Sequence, residues 1–243
     1  MNWNLIRNGM LVLALLVATP AYAKFYSYST LPNATDPANE PVWAKATFDV
    51  SAGSMVVTLT NLQPNITSVG QNISSLWFTV NNGSSILSLS GANVTLSGNL
   101  VDISSTGALS YPSPSTLNNA IVGSTASSIV HWTKGQSGSQ SYFNDLNGGG
   151  QPDQTIIGPA MYQNNTSYGQ VGGSLYNSHN PFIQNQATFT IKAAGLLATS
   201  TVSDVLIGFG TAPGNNLRTV PEPGTIALFA IGALALALRR RTG

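Results

Sequence analysis

One short run gathers the residues best able to do chemistry: Asp145-Leu146-Asn147-Gly148-Gly149-Gly150-Gln151-Pro152-Asp153. Calcium loops set oxygen ligands at alternate positions and turn sharply around the ion on glycine. Asp145, Asn147 and Asp153 would supply three such side chains, while Gly149 stands where a fifth-position Asp or Asn is expected. The run is thus either a weak calcium site, completed by backbone carbonyls or a distant Asp, or a glycine-rich turn whose polar side chains cap the backbone. The histidines, His131 and His179, offer a second chemistry: a secreted hydrolase using Asp145 or Asp153 with His179. Local signatures oppose it. There is no G-x-S-x-G elbow, no H-E-x-x-H zinc motif, and Glu40 is the sole glutamate outside the C-terminal segment to serve a two-carboxylate glycosidase. Cysteine is absent, which removes thiolate catalysis and disulfides within the chain. The sequence therefore favours a protein without catalytic residues. Tyr162, Tyr168 and Tyr176 lie among Gly, Asn and Gln, either as rings for stacking on sugars or as plugs closing one end of the fold.

The elements that must position these residues are short strands. Ala44, Ala46, Phe48 and Val50 alternate with polar neighbours; after an Ala52-Gly53 turn, Met55, Val57 and Leu59 do the same. Trp77 and Phe78, Leu87 and Leu89, Val94 and Leu96, Ile129 to Trp132, Thr155 to Ile157, Ala187-Phe189-Ile191 and Val205-Ile207-Phe209 extend the pattern, divided by Gly, Asn, Pro and Ser. Period-two segments at this spacing predict an all-β, antiparallel β-sandwich of jelly-roll type over residues 24–216. Helical periodicity is confined to the ends, as a signal helix within 1–23 and a hydrophobic helix within 217–243.

Composition narrows the partners. Charged residues make up 7% of the 243, against about 25% in ordinary soluble domains. Apart from the end segments, five basic residues face seven acidic ones, so no basic stripe exists for nucleic acid. The N-terminus carries Arg7, an apolar Met10–Val17 and Ala21-Tyr22-Ala23, the order of a secretory signal with cleavage after Ala23 by signal peptidase downstream of the Sec machinery. The C-terminus carries Val220-Pro221-Glu222-Pro223, an apolar stretch from Thr225 to Leu238, then Arg239, Arg240 and Arg241. As a helix that stretch would span about 21 Å, short of the roughly 30 Å hydrocarbon core, with the arginines held cytoplasmic as a stop. Seven N-x-S/T sequons, at Asn33, Asn65, Asn72, Asn82, Asn93, Asn164 and Asn165, follow from the Asn, Ser and Thr content.

The motif, apolar segment and arginine cluster together resemble the PEP-CTERM sorting signal of exported proteins in Gram-negative bacteria. The stretches ATFDVSAGSMVVTLTNL, SHNPF and QATFTI are similar, more loosely, to β-rich surface proteins carrying that signal. The resemblance implies processing near Pro-Glu-Pro by exosortase, a membrane-embedded cysteine enzyme. The expected course is export, transient tethering at the inner membrane through the tail, and release to the cell surface or extracellular matrix. There the domain would act structurally or bind polysaccharide weakly, with no cofactor beyond the candidate calcium ion. Permanent tail anchoring in the envelope is the alternative.

Overall fold

The computed structural model describes residues 23–83, 85–146, 152–176 and 178–222. The signal helix and the hydrophobic tail helix lie outside them. Among the described residues no helix is long and apolar enough to cross a membrane. The described chain is built mostly of strands: β1 (Lys24–Thr30), β2 (Ala44–Ser51), β3 (Ser54–Asn61), β4 (Ile73–Asn82), β5 (Ser85–Ile86), β6 (Asn93–Ile103), β7 (Leu109–Ser110), β8 (Thr116–Ile121), β9 (Thr133–Ser137), β10 (Gln140–Asn144), β11 (Ile156–Ile157), β12 (Phe182–Gln184), β13 (Gln186–Lys192), β14 (Thr201–Phe209) and β15 (Asn216–Pro221). Its only helical pieces are a 3-10 turn, Val69–Gln71, and a four-residue α1, Gly173–Tyr176.

The hydrogen bonding is that of one large mixed sheet, in the order β11-β12-β6-β13-β3-β2-β1-β15-β14-β4-β10-β9. All named pairs are antiparallel except β11 with β12. A bridge from Ile156 to Ile73 pairs β11 with β4, so the path from β11 round to β4 closes on itself. Where β2, β3 and β13 lie side by side, strict alternation buries Ala44, Ala46, Phe48, Val50, Met55, Val57, Leu59, Ala187, Phe189 and Ile191 and turns Lys45, Asp49 and Thr58 outward. The β2–β3 loop is the two residues Ala52 and Gly53, and Gly53 takes φ +75°, which a hairpin this tight requires. β4 breaks the alternation, with seven of its first eight residues buried, Ser75 and Thr79 on either side of half-exposed Trp77 among them. In β14 a bulge at Asp204, φ +51°, shifts register between Ser203 and Leu206, so that Val202 and Val205 both turn inward.

The main core is tied together by rings: Phe48 of β2 meets Phe78 of β4, Phe78 meets Phe143 of β10, and Phe143 stacks on Phe189 of β13. A second, smaller core (Ile66, Val101, Ile103, Ile157, Tyr168, Leu175 and Phe182) lies under the chain between β11 and β12. Amides do the joining that charges do elsewhere. Buried Asn61 donates to the carbonyls of Gln71 and Ile156 at 3.0 and 2.9 Å, and Asn72 donates to Thr155 at 2.9 Å. Each such bond spares a buried polar group its desolvation cost.

Three features depart from the sequence expectation. Leu87 and Leu89, expected to alternate along a strand, lie in irregular chain just after β5. Ile129 to Trp132, expected as a strand, is irregular; the strand starts at Thr133, and the Trp132 indole donates to the Gln154 carbonyl at 2.7 Å. The sheet also runs past residue 216: β15 carries Leu217 to Pro221 into the circuit between β14 and β1.

Candidate functional site

The Pro-Glu-Pro segment enters the described structure through Val220, Pro221 and Glu222; Pro223 and the arginines lie outside it. The first half of β15 pairs with β14, Arg218 opposite Leu206, and the second half pairs with β1, with Thr219, Val220 and Pro221 opposite Thr30, Ser29 and Tyr28. The Glu222 amide then donates to the Ser27 carbonyl at 2.8 Å. Alternation along β1 sends Tyr28 into the core and Ser27 and Ser29 to the outer face, and the β1–β2 register sets Lys45 opposite Ser29 on that same face. The Glu222 carboxylate lies among the three. Its Oε2 is 2.6 Å from Lys45 Nζ and accepts from the Ser27 hydroxyl at 2.7 Å, while Oε1 accepts from Ser29 at 3.0 Å. Hydrogen bonds from Lys45 and then Ser27 hold its pKa below the ordinary glutamate value. Both charged side chains are about one-third exposed, 34% each, so the pair stays in contact with solvent.

The Asp145–Asp153 run is a second cluster, although Asn147 to Gln151 lie outside the described residues. Asp145 follows β10, its amide donating to Ser74 at 2.9 Å, and the residue is 4% exposed. Neither carboxyl oxygen has a hydrogen-bond partner among the described residues. Burial first, and the negative charge of Asp153 second, push its pKa well above the usual carboxylate range. Asp153 pairs with His131, Oδ2 to Nδ1 3.3 Å. His179 meets the Pro152 carbonyl through Nδ1 at 2.9 Å, so the histidine in contact with an Asp here is His131. No group of three or more His, Cys, Asp or Glu gathers to hold a metal among the described residues.

Because Asp145 binds its proton more tightly folded than unfolded, its contribution to stability is present in acid and is lost as pH rises through the raised pKa. In calcium-free buffer, Asp145→Asn is therefore expected to raise the melting midpoint at neutral pH and flatten the fall in stability above the acid range. Millimolar calcium should raise the wild-type midpoint and leave Asp145→Asn unmoved if the run is a cation site. A wild-type midpoint indifferent to calcium makes it a turn.

The tyrosines divide. Tyr168 is buried, its hydroxyl donating to the Gly158 carbonyl, and it closes the smaller core. Tyr162 is 52% exposed and, with Asn65, Thr67, Tyr168, Gly169 and Gln170, lines an open cleft of about 350 Å³. Tyr176 is half-buried in α1.

Compared with known proteins, residues 219–241 match the PEP-CTERM protein-sorting motif. No curated protein and no solved structure matches the chain. The motif implies export and membrane-associated sorting with processing by exosortase.

Proposed function

We propose that the chain is an exported, non-catalytic surface or matrix protein, tethered at the inner membrane by its tail until exosortase cuts near Pro-Glu-Pro. The sorting-motif match at 219–241 carries this reading. The strand layout supports it. Lys24, the first residue of β1, lies three positions beyond Ser27, which receives the Glu222 amide, and β1 and β15 run antiparallel. Lys24 and Glu222, the residues next to the two sorting segments, therefore lie toward the same end of the sheet, an arrangement compatible with both being presented to one membrane during export.

Within that role the domain is an antiparallel jelly-roll-like sandwich, a reading supported by the rings of β2 and β13 packed on those of β4 and β10. Its ligand is a neutral polysaccharide bound weakly. The exposed Tyr162 ring beside Asn65 and Gln170 offers a stacking face with amide donors and acceptors and little charge.

Intact mass of the protein recovered from the native envelope and medium tests the sorting course. A chain beginning at Lys24 and ending between Pro221 and Pro223 is the expected species, and added mass would reveal an attachment. A chain that starts at Lys24 and still ends at Gly243 in the membrane fraction would overturn release and make the protein permanently tail-anchored.

A further inference from the structure

We propose that the folded domain latches its own sorting motif: Ser27, Ser29 and Lys45 hold Glu222 on the outer face of the sheet, and this hold must open before the processing enzyme can read Pro-Glu-Pro. The inference rests on the sorting reading above.

A peptide bond is cut when the chain around it lies extended in the enzyme's cleft, with its backbone groups available. Here Val220 and Pro221 are strand residues paired with Ser29 and Tyr28, the Glu222 amide is taken by Ser27, and the carboxylate is taken by three side chains. The one charged side chain of Pro-Glu-Pro is thus already bound within its own protein.

The hold is also small enough to open locally. Residues 216–218 pair with β14 and residues 219–221 with β1, so the last half of β15 has one neighbouring strand along its length. Peeling residues 219–222 breaks three register positions, one further amide bond, the Thr219 hydroxyl bond to Val205 of β14 and the cradle, while the pairing of 216–218 with β14 stays zipped. Such short, partly exposed pairings sit at the low end of the range of local opening energies. The cradle residues come from β1 and β2, which are fixed by the core, so the latch forms only once those strands have folded. An unfolded or half-folded precursor would show a free Glu222, whereas a folded one offers it at the rate of strand opening.

Lys45→Met removes the cation and keeps the stem; Ser27→Ala with Ser29→Ala removes the hydroxyls; Lys45→Arg keeps the pair and serves as control. Glu222 itself is left alone, because the enzyme reads it. Hydrogen exchange on the purified full-length chain follows the peptide covering Thr219–Glu222, and pulse-chase in the native host follows the precursor. Lys45→Met is expected to speed exchange in that peptide about three- to tenfold, as befits loss of a partly exposed charge-assisted contact, with the global melt within a few degrees. It should shorten the precursor's lifetime by a similar factor, the double serine variant acting alike and Lys45→Arg acting as wild type. Unchanged exchange in both cradle variants would overturn the latch. Faster exchange with an unchanged or longer precursor lifetime would overturn its bearing on processing. Faster exchange with no conversion of any precursor, wild type included, would uphold the latch as a feature of the fold and sink the sorting reading instead.

Discussion

Phe189→Ala is expected to lower the melting midpoint by roughly 6–20 °C. Phe189 is fully buried, stacks on Phe143 with centroids 4.4 Å apart and planes 7° from parallel, and meets Trp132 edge-on at 5.3 Å. Its strand, β13, is flanked by β3 on one side and β6 on the other, so the backbone has no room to close over a void. Large-to-small changes at such sites cost about 3–5 kcal/mol, and in a domain of this size each kcal/mol moves the midpoint by about 2–4 °C. No cysteine is present to staple the chain, so core packing carries the loss undiluted. Tyr142→Ala is the contrast. That ring lies against Trp77 at 4.5 Å with both residues half-exposed, and its removal should cost no more than ~1.5 kcal/mol beyond the area lost. Thermal melts of the two variants side by side check the ranking; equal shifts would mean that the rings packed across the interior are not what holds the domain together.

The strands that could be read from sequence are those for which one face is core and the other solvent. In β2, β3 and β13 the apolar residues recur at every second place, and the structure pairs those three in register. Where that condition fails, the pattern fails with it. β4 has seven of its first eight residues buried, β14 changes phase at Asp204, and β9 is a polar strand, Thr133–Ser137, turned back at Gly138 with φ +57°. The apolar pattern of Ile129 to Trp132 reads as a strand, but Trp132 is held by the bond from its indole to Gln154 and not by a ladder. The high asparagine content also has a local cause. Asn33, Asn65, Asn164 and Asn165, all sequon positions, adopt left-handed backbone, as do Asn39, Asn119 and Asn185. Asparagine tolerates that region better than other residues with a side chain, so these asparagines make turns whatever else they do.

The Glu222 cradle was not legible. Two serines and a lysine on an outward face look like ordinary surface, and Lys45 is 177 residues from Glu222. The signal that existed was the alternation KFYSYST itself, whose inward tyrosine implies outward serines. What could not be read was that the strand laid beside them would be the last one before the tail.

That placement leads to the second large effect. A chain ending at Asn216 is expected to lose its cooperative melt or to aggregate, whereas a chain ending at Pro223 should melt as the full-length domain does. Removing residues 217–221 takes β15 out of the circuit. It strips the partners from Tyr28, Ser29 and Thr30 on β1 and from Leu206 and Ile207 on β14, and deletes the Thr219 hydroxyl bond to the Val205 carbonyl at 2.8 Å. The chain then carries two unpaired strand edges in place of a continuous circuit, and free edges recruit other chains. A chain ending at Pro223 keeps every one of those pairings and the Lys45–Glu222 contact. Circular dichroism melts and light scattering on the two chains decide the point, and indistinguishable behaviour would show that β15 adds nothing to the domain. If the difference appears, it constrains the processing step from the substrate side. A cut at or after Glu222 releases a closed, stable sheet, whereas a cut before Thr219 would release a damaged one. The position of the motif at the end of β15 then places the scissile region at the boundary between what the domain needs and what only the membrane needs.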